Sequence, residues 1–265
     1  MKVFILGTGD AMSRFRFNTS FIVCNNLGFN LAVECPHPYF KVLEEAKMVA
    51  EDLQSEPPPE LKDIDYFIFS HLHGDHINGL EDVLFYKKFL EGKVINLYAY
   101  YFDMRELWHH RLRCAMGTSY ENGVHIFRDY DFYYNNIELI PDRIVDIPDD
   151  SCCFSLQTKR TKHHIPTSAM VIKNNSDGKS IAFSGDTEFD EELIEWMNQA
   201  DIIIHECFPF KAPGHTSYDE LMSLPSNIKE KLRLIHYPDS FNVESSEIEC
   251  LFEGQVLEVV GNDVT

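Results

Sequence analysis

Short apolar runs that each end on a histidine or an aspartate constrain this chain more than any other feature. Tyr66-Phe67-Ile68-Phe69 runs into His71-Leu72-His73-Gly74-Asp75-His76, which holds three imidazoles and a carboxylate. Ile181-Ala182-Phe183 leads into Ser184-Gly185-Asp186-Thr187, and Leu232-Arg233-Leu234 into Ile235-His236-Tyr237. Runs of this length read as buried strands, so each ligand-type residue sits where a strand ends. Imidazole and carboxylate suit zinc, and also manganese or iron, and a catalytic site needs several of them plus an open position. One His-rich loop is also compatible with solvated surface. The recurrence downstream, with His163-His164 as a further source, favours a metal site.

Around these runs the pattern is mixed α and β. Strands are predicted at 3–6, 20–24, 30–34, 94–98, 169–172, 202–204 and 256–260, and helices at 39–54, 79–90 and 191–198, while 105–113 reads either as a helix with a solvated charged face or as part of a ligand-binding aromatic and basic segment. Asn25-Asn26, Asn135-Asn136 and the stretch 174–178 read as turns. Glu56-Pro57-Pro58-Pro59-Glu60 is a short connection and no internal linker is visible, so residues 1–265 are expected to form one domain.

The net charge of −20 bears on partners. Gripping a long nucleic acid takes several Lys or Arg contacts to phosphates, and an acidic chain is poorly suited to that. Local cations exist: Lys159, Arg160 and Lys162 precede His164, and Arg14 and Arg16 lie in the opening loop. Such a patch can draw in a single phosphate, although Arg14 and Arg16 read equally well as scattered surface charge. The seven cysteines are odd in number with no Cys-x-x-Cys pair, which favours free thiols in a reducing, cytoplasmic compartment over a vicinal Cys152-Cys153 disulfide. No apolar run approaches the length of a membrane span. Between the His loop and His164 lies an aromatic segment that includes Tyr98, Tyr100, Tyr101, Trp108, Tyr120, Tyr133 and Tyr134. Its rings fit three uses: stacking on a nucleobase, strand core, or the contact of a homodimer.

Taken in order, Gly7-Thr8-Gly9-Asp10-Ala11, the His-x-His-x-Asp-His loop, a lone His, Gly185-Asp186-Thr187 and the final His236 resemble the metallo-β-lactamase superfamily. Phe17-Asn18-Thr19-Ser20, Asp201-Ile202-Ile203-Ile204-His205-Glu206 and Gly214-His215-Thr216-Ser217 resemble its tRNase Z and cyclic nucleotide phosphodiesterase branch, which includes the phage anti-Pycsar proteins. The resemblance implies a four-layer αβ/βα sandwich holding two divalent ions, zinc first with manganese or iron as alternatives. It implies His71, His73 and His164 on one ion, Asp75, His76 and His236 on the other, and Asp186 bridging. His164 is taken over His163 because His164-Ile165-Pro166-Thr167-Ser168 has the family's His-x-x-x-Ser spacing. Asp75 would also orient the attacking hydroxide. His215 would assist the leaving group with Glu206 orienting it, unless it merely precedes a helix starting near Ser217.

Two departures stand out. Glu34 and Pro36 occupy places where relatives carry Asp and Gly, which affects the support of the metal loop, and no tRNA-gripping arm is recognisable. The implied activity is hydrolysis of a small cyclic phosphodiester, a cyclic nucleotide above all, by a homodimer with no membrane partner. The alternatives are tRNA 3′ processing, a lactone or thioester hydrolase, and a non-catalytic relative.

Overall fold

The computed structural model describes residues 1–148 and 153–259. Its strands are β1 (Lys2–Gly7), β2 (Ser20–Cys24), β3 (Asn30–Val33), β4 (Tyr66–Ile68), β5 (Ile95–Tyr100), β6 (Thr118–Glu121), β7 (Val124–Phe127), β8 (Tyr134–Leu139), β9 (Val145–Ile147), β10 (Phe154–Arg160), β11 (Ser168–Asn174), β12 (Ser180–Phe183), β13 (Ile202–Glu206), β14 (Leu232–Ile235) and β15 (Val256–Glu258). They build a seven-stranded sheet in the order β15-β1-β2-β3-β4-β5-β8, a six-stranded sheet in the order β14-β13-β12-β11-β10-β9, and a separate β6-β7 hairpin.

Successive side chains of a strand point to opposite faces, and here both faces of each sheet are apolar. In β1 and β2, Val3, Ile5, Phe21 and Val23 meet Leu156, Ile172, Ile181 and Phe183 of the facing sheet in one core. Their neighbours Phe4, Leu6 and Ile22 turn outward onto Tyr39, Val42, Leu43 and Ala46 of the helix Tyr39–Asp52. On the far side Val171, Ala182 and Ile203 pack against Leu193, Ile194 and Met197 of the helix Glu191–Met197. The result is the expected four-layer αβ/βα sandwich. Each such side chain, fully buried, contributes about 1.5–3 kcal/mol, so the three apolar layers fix the strand ends firmly.

Several expectations change in detail. Asn135-Asn136 lies inside edge strand β8, where the Asn135 side-chain amide donates to Asn96 Oδ1 at 2.9 Å. A polar strand is tolerated because it has a neighbour on one side only. The β6-β7 hairpin was not expected, and it turns on Asn122 and Gly123, both at positive φ. In the aromatic segment Tyr98, Trp108, Tyr133 and Tyr134 are buried in core, whereas Tyr120 is exposed. The predicted strand at 256–260 ends at Glu258, and its residue 260 lies outside the described residues, as does Cys152. Cys24, Cys35, Cys114, Cys207 and Cys250 are free thiols. Among the described residues no helix is long and apolar enough to cross a membrane.

The chain leaving β4, β10, β12, β13 and β14 emerges at one edge between the two sheets. A cavity of about 510 Å³ opens there, lined by Asp10, His73, Asp75, His163, His164, Asp186, His215 and His236 among others.

Candidate metal centre

Asp186, in the turn after β12, divides its two oxygens between two groups of side chains. Oδ2 lies 3.7 Å from His71 Nε2 and 3.6 Å from His163 Nε2, and the latter is 3.2 Å from His73 Nδ1. Oδ1 lies 3.4 Å from His76 Nε2 and 3.5 Å from His236 Nε2, with Asp75 Oδ2 3.2 Å from the same His76 nitrogen. His71, His73, His163 and Asp186 therefore form one group, and Asp75, His76 and His236 form another.

Asp75 Oδ2, His76 Nε2 and Asp186 Oδ1 are buried without a hydrogen-bond partner. Leaving such an atom unmet costs about 1–3 kcal/mol each, and three within one cluster call for an occupant that accepts lone pairs. The electrostatics agree. Burial disfavours the charged form of His76, yet Asp186, Asp75 and Glu34 around it outweigh that and raise its proton affinity far above the ordinary range. Burial also opposes ionisation of Asp186, and His236, His76 and His71 overcome it, holding the carboxyl well below its usual range. A site that pulls this strongly on positive charge, built from imidazole and carboxylate, fits divalent cations.

The outer nitrogens of the imidazoles have their own partners, which fixes ring orientation. His71 Nδ1 meets Ser70 Oγ at 2.9 Å, and His236 Nδ1 meets Thr19 Oγ1 at 3.0 Å. His76 Nδ1 faces Glu34 Oε1 at 3.3 Å. Glu34 also accepts from the backbone N–H of Ser70 at 3.1 Å. The Glu34 carboxylate thus spans from the end of β3 to the metal loop. Glu34 and His236 both carry positive φ, at 63° and 55°. Left-handed backbone in a non-glycine residue is strained by about 1–2 kcal/mol, and here it aims two site residues.

One expectation is corrected. The structure places His163, not His164, against His71 and His73, while the His164 ring is exposed at the cavity wall. The reason is the turn after β10. Thr161 Oγ1 donates to the Asp186 carbonyl, Lys162 N–H donates to Thr187 Oγ1, and Glu188 N–H donates to the Lys162 carbonyl. These bonds tie the turn that carries His163 and His164 to the segment 186–188. His163 Nδ1 then donates to the Gly214 carbonyl at 2.9 Å, leaving Nε2 to face Asp186. Gly214 has φ +77°, and a Cβ there would lie 2.6 Å from His164 Cε1.

His215 and Glu206, 9 positions apart in sequence, meet at 2.8 Å through Nδ1 and Oε2. Glu206 closes β13 fully buried, and burial pushes its carboxyl up to about 8, with the His215 bond pulling the other way. Burial lowers the proton affinity of His215, but Glu206 more than offsets that and raises it overall. Phe208 stacks on the His215 ring at 4.5 Å between centroids. The helix expected near Ser217 also exists, over Tyr218–Met222 with a Ser217–Glu220 capping box, so His215 both precedes a helix and lines the cavity. Thr19, Ser70 and Gly214 were not singled out individually, since hydrogen bonds to distant imidazoles leave no local pattern. Of the nearby cations, Lys162 pairs with Asp190 at 3.1 Å, and Arg16 lies over the Tyr237 ring.

This sandwich, with a cage of imidazoles and carboxylates at the edge between its sheets, defines a metallo-β-lactamase-fold hydrolase. The metallo-beta-lactamase fold protein YhfI from Bacillus subtilis superposes with a TM-score of 0.71 at 17% identity, covering 97% of this chain and 98% of that one. Human short-form tRNase Z superposes with a TM-score of 0.71 at 19% identity, over 98% and 100% of the two chains. The profile of the Anti-Pycsar protein Apyc1 family matches residues 1–252, and the chain belongs to that family. It is 28% identical over 242 residues to the Anti-Pycsar protein Apyc1 of Bacillus phage BSP38, covering 90% of each. The chain is accordingly a metal-dependent hydrolase of the phosphodiesterase branch.

Proposed function

We propose that this enzyme, one domain over residues 1–265, hydrolyses a small cyclic phosphodiester, a cyclic nucleotide above all, with two divalent ions, zinc first and manganese or iron as alternatives. The observation that carries the reading is the division of Asp186 between the two groups of ligands. His71, His73 and His163 would hold one ion, Asp75, His76 and His236 the other, and Asp186 both. Ions so held supply polarisation of a phosphoryl oxygen and lower the pKa of water towards neutrality.

The chain's own residues do the rest. Asp75 stays ionised, because His76 beside it outweighs the burial that opposes its charge. Its carboxylate can therefore accept a hydrogen bond from an attacking water and orient it. Glu206 holds His215 by Nδ1, which leaves Nε2 to pass a proton to the departing oxygen. A cavity of about 510 Å³ suits a mononucleotide-sized ligand. The charge of −20 and the lack of a recognisable tRNA-gripping arm support a small substrate over a long nucleic acid. Free thiols fit a reducing cytoplasm. Exposed Tyr120, Val124 and Phe127 on the β6-β7 hairpin fit a homodimer contact, with no membrane partner.

The test is a panel of 3′,5′-cyclic nucleotides, precursor tRNA, lactones and thioesters offered to metal-replete protein. Turnover of a cyclic nucleotide with tRNA left intact is expected. Cleavage of precursor tRNA at its 3′ side without cyclic nucleotide turnover restores the processing reading, and turnover confined to lactones or thioesters points to an acyl hydrolase.

A further inference from the structure

We infer that His164, which stands beside the metal cage without belonging to it, is a substrate-binding residue that donates a hydrogen bond to the phosphoryl group, opposite His215. The inference rests on the phosphodiesterase reading above. One ring nitrogen from each of His163, His164 and His215 lies within 4.8 Å of the others. Three imidazoles so close resemble a further metal site, but His163 has no nitrogen to spare. Its Nδ1 donates to the Gly214 carbonyl and its Nε2 faces Asp186 and His73. His215 has committed Nδ1 to Glu206. What remains is one nitrogen of His215 and the His164 ring, too few ligands for the four-coordinate sites that zinc prefers. Two N–H groups on rings whose centroids lie 6.3 Å apart can instead each reach an oxygen of one phosphoryl group, at ordinary hydrogen-bond lengths.

The surroundings of His164 suit that use. Its ring lies 4.3 Å from that of His163 and 6.3 Å from that of His215, the latter nearly perpendicular at 83°. Its edge packs on Gly214, where any side chain would displace it. It is exposed, makes no side-chain hydrogen bond among the described residues, and lines the same cavity as the cage. A polar ring held in position in a reactive cavity, with no hydrogen-bond partner among the described residues, is placed for a ligand.

The experiment compares His164→Ala and His164→Asn with the wild type in three readouts: metal content, KM and kcat for a 3′,5′-cyclic nucleotide, and the dissociation constant of inorganic phosphate by calorimetry. A hydrogen bond to a charged group is worth about 1.5–3 kcal/mol, which corresponds to a roughly 10- to 150-fold effect. His164→Ala should keep its full metal complement, raise KM and weaken phosphate by such a factor, and change kcat far less, as loss of uniform binding does. His164→Asn, which keeps an N–H, should recover part of the loss. Loss of an ion in His164→Ala would overturn the inference by making His164 a ligand, and unchanged KM and phosphate affinity would overturn it by making the ring a bystander. If the wild type turns over no cyclic nucleotide, the substrate reading fails, and the phosphate measurement still decides the role of His164.

Discussion

His215 and Glu206 illustrate how much of this site depends on single contacts between residues remote in sequence. A buried carboxyl at the end of β13 would be costly alone, and its 2.8 Å bond to His215 Nδ1 both meets it and fixes which ring edge faces the cavity. His215→Ala should therefore lower turnover of a cyclic nucleotide by about 10²- to 10⁴-fold with the metal complement intact. A nitrophenyl phosphodiester, whose leaving phenolate needs no proton, should suffer less. Equal loss on both substrates in steady-state assays would assign His215 to phosphate binding or structure instead. At this scale the sequence was informative where a ligand follows a strand directly, as His71, Asp186 and His236 do. It was ambiguous for the adjacent pair His163-His164. What decides between them is the turn in which Thr161 and Lys162 bond to residues 186–188, bonds that no local spacing encodes.

Among the elements, the helix Tyr101–Glu106 follows β5 of the first sheet. Asp103 in its first turn is buried, its Oδ2 has no hydrogen-bond partner, and burial raises its carboxyl to about 7 despite the nearby Arg160 guanidinium from β10. The folded state then keeps a proton that the unfolded chain releases near 4. Stability from this group is present below about 4 and is lost as pH rises to about 7. Asp103→Asn, which stays neutral throughout, should match the wild type in urea unfolding near pH 4 and become progressively more stable than it up to pH 7.5. A difference between the two that does not change with pH would show that Asp103 is not protonated in the fold. The elements themselves were legible to unequal degrees. Strands β1, β2 and β13 are continuous apolar runs because both faces are covered. The β6-β7 hairpin pairs with neither large sheet, and its strands of four residues each are too short to stand out, although Asn122-Gly123 is a hairpin-type turn. Asn135-Asn136 looked like a turn because an edge strand can afford polar residues that an interior strand cannot.

Across the whole molecule, ligands contributed by both sheets converge at one edge, so the cage joins the two halves of the sandwich. The metallo-β-lactamase architecture was implied by the family resemblance that the ordered ligand motifs carry, while the apolar pattern by itself showed a mixed α and β chain; the pairing of strands into seven and six was not legible, since many apolar runs are interchangeable by composition. The central claim is that this convergence makes a two-ion centre with Asp186 shared. Elemental analysis of wild-type and Asp186→Ala protein, each reconstituted with zinc or manganese and freed of excess ion, tests it most directly. The account predicts about two divalent ions per wild-type chain, and loss of at least one from a folded Asp186→Ala variant. A reconstituted wild type holding no stoichiometric metal, or an Asp186→Ala variant that keeps both ions, would contradict it.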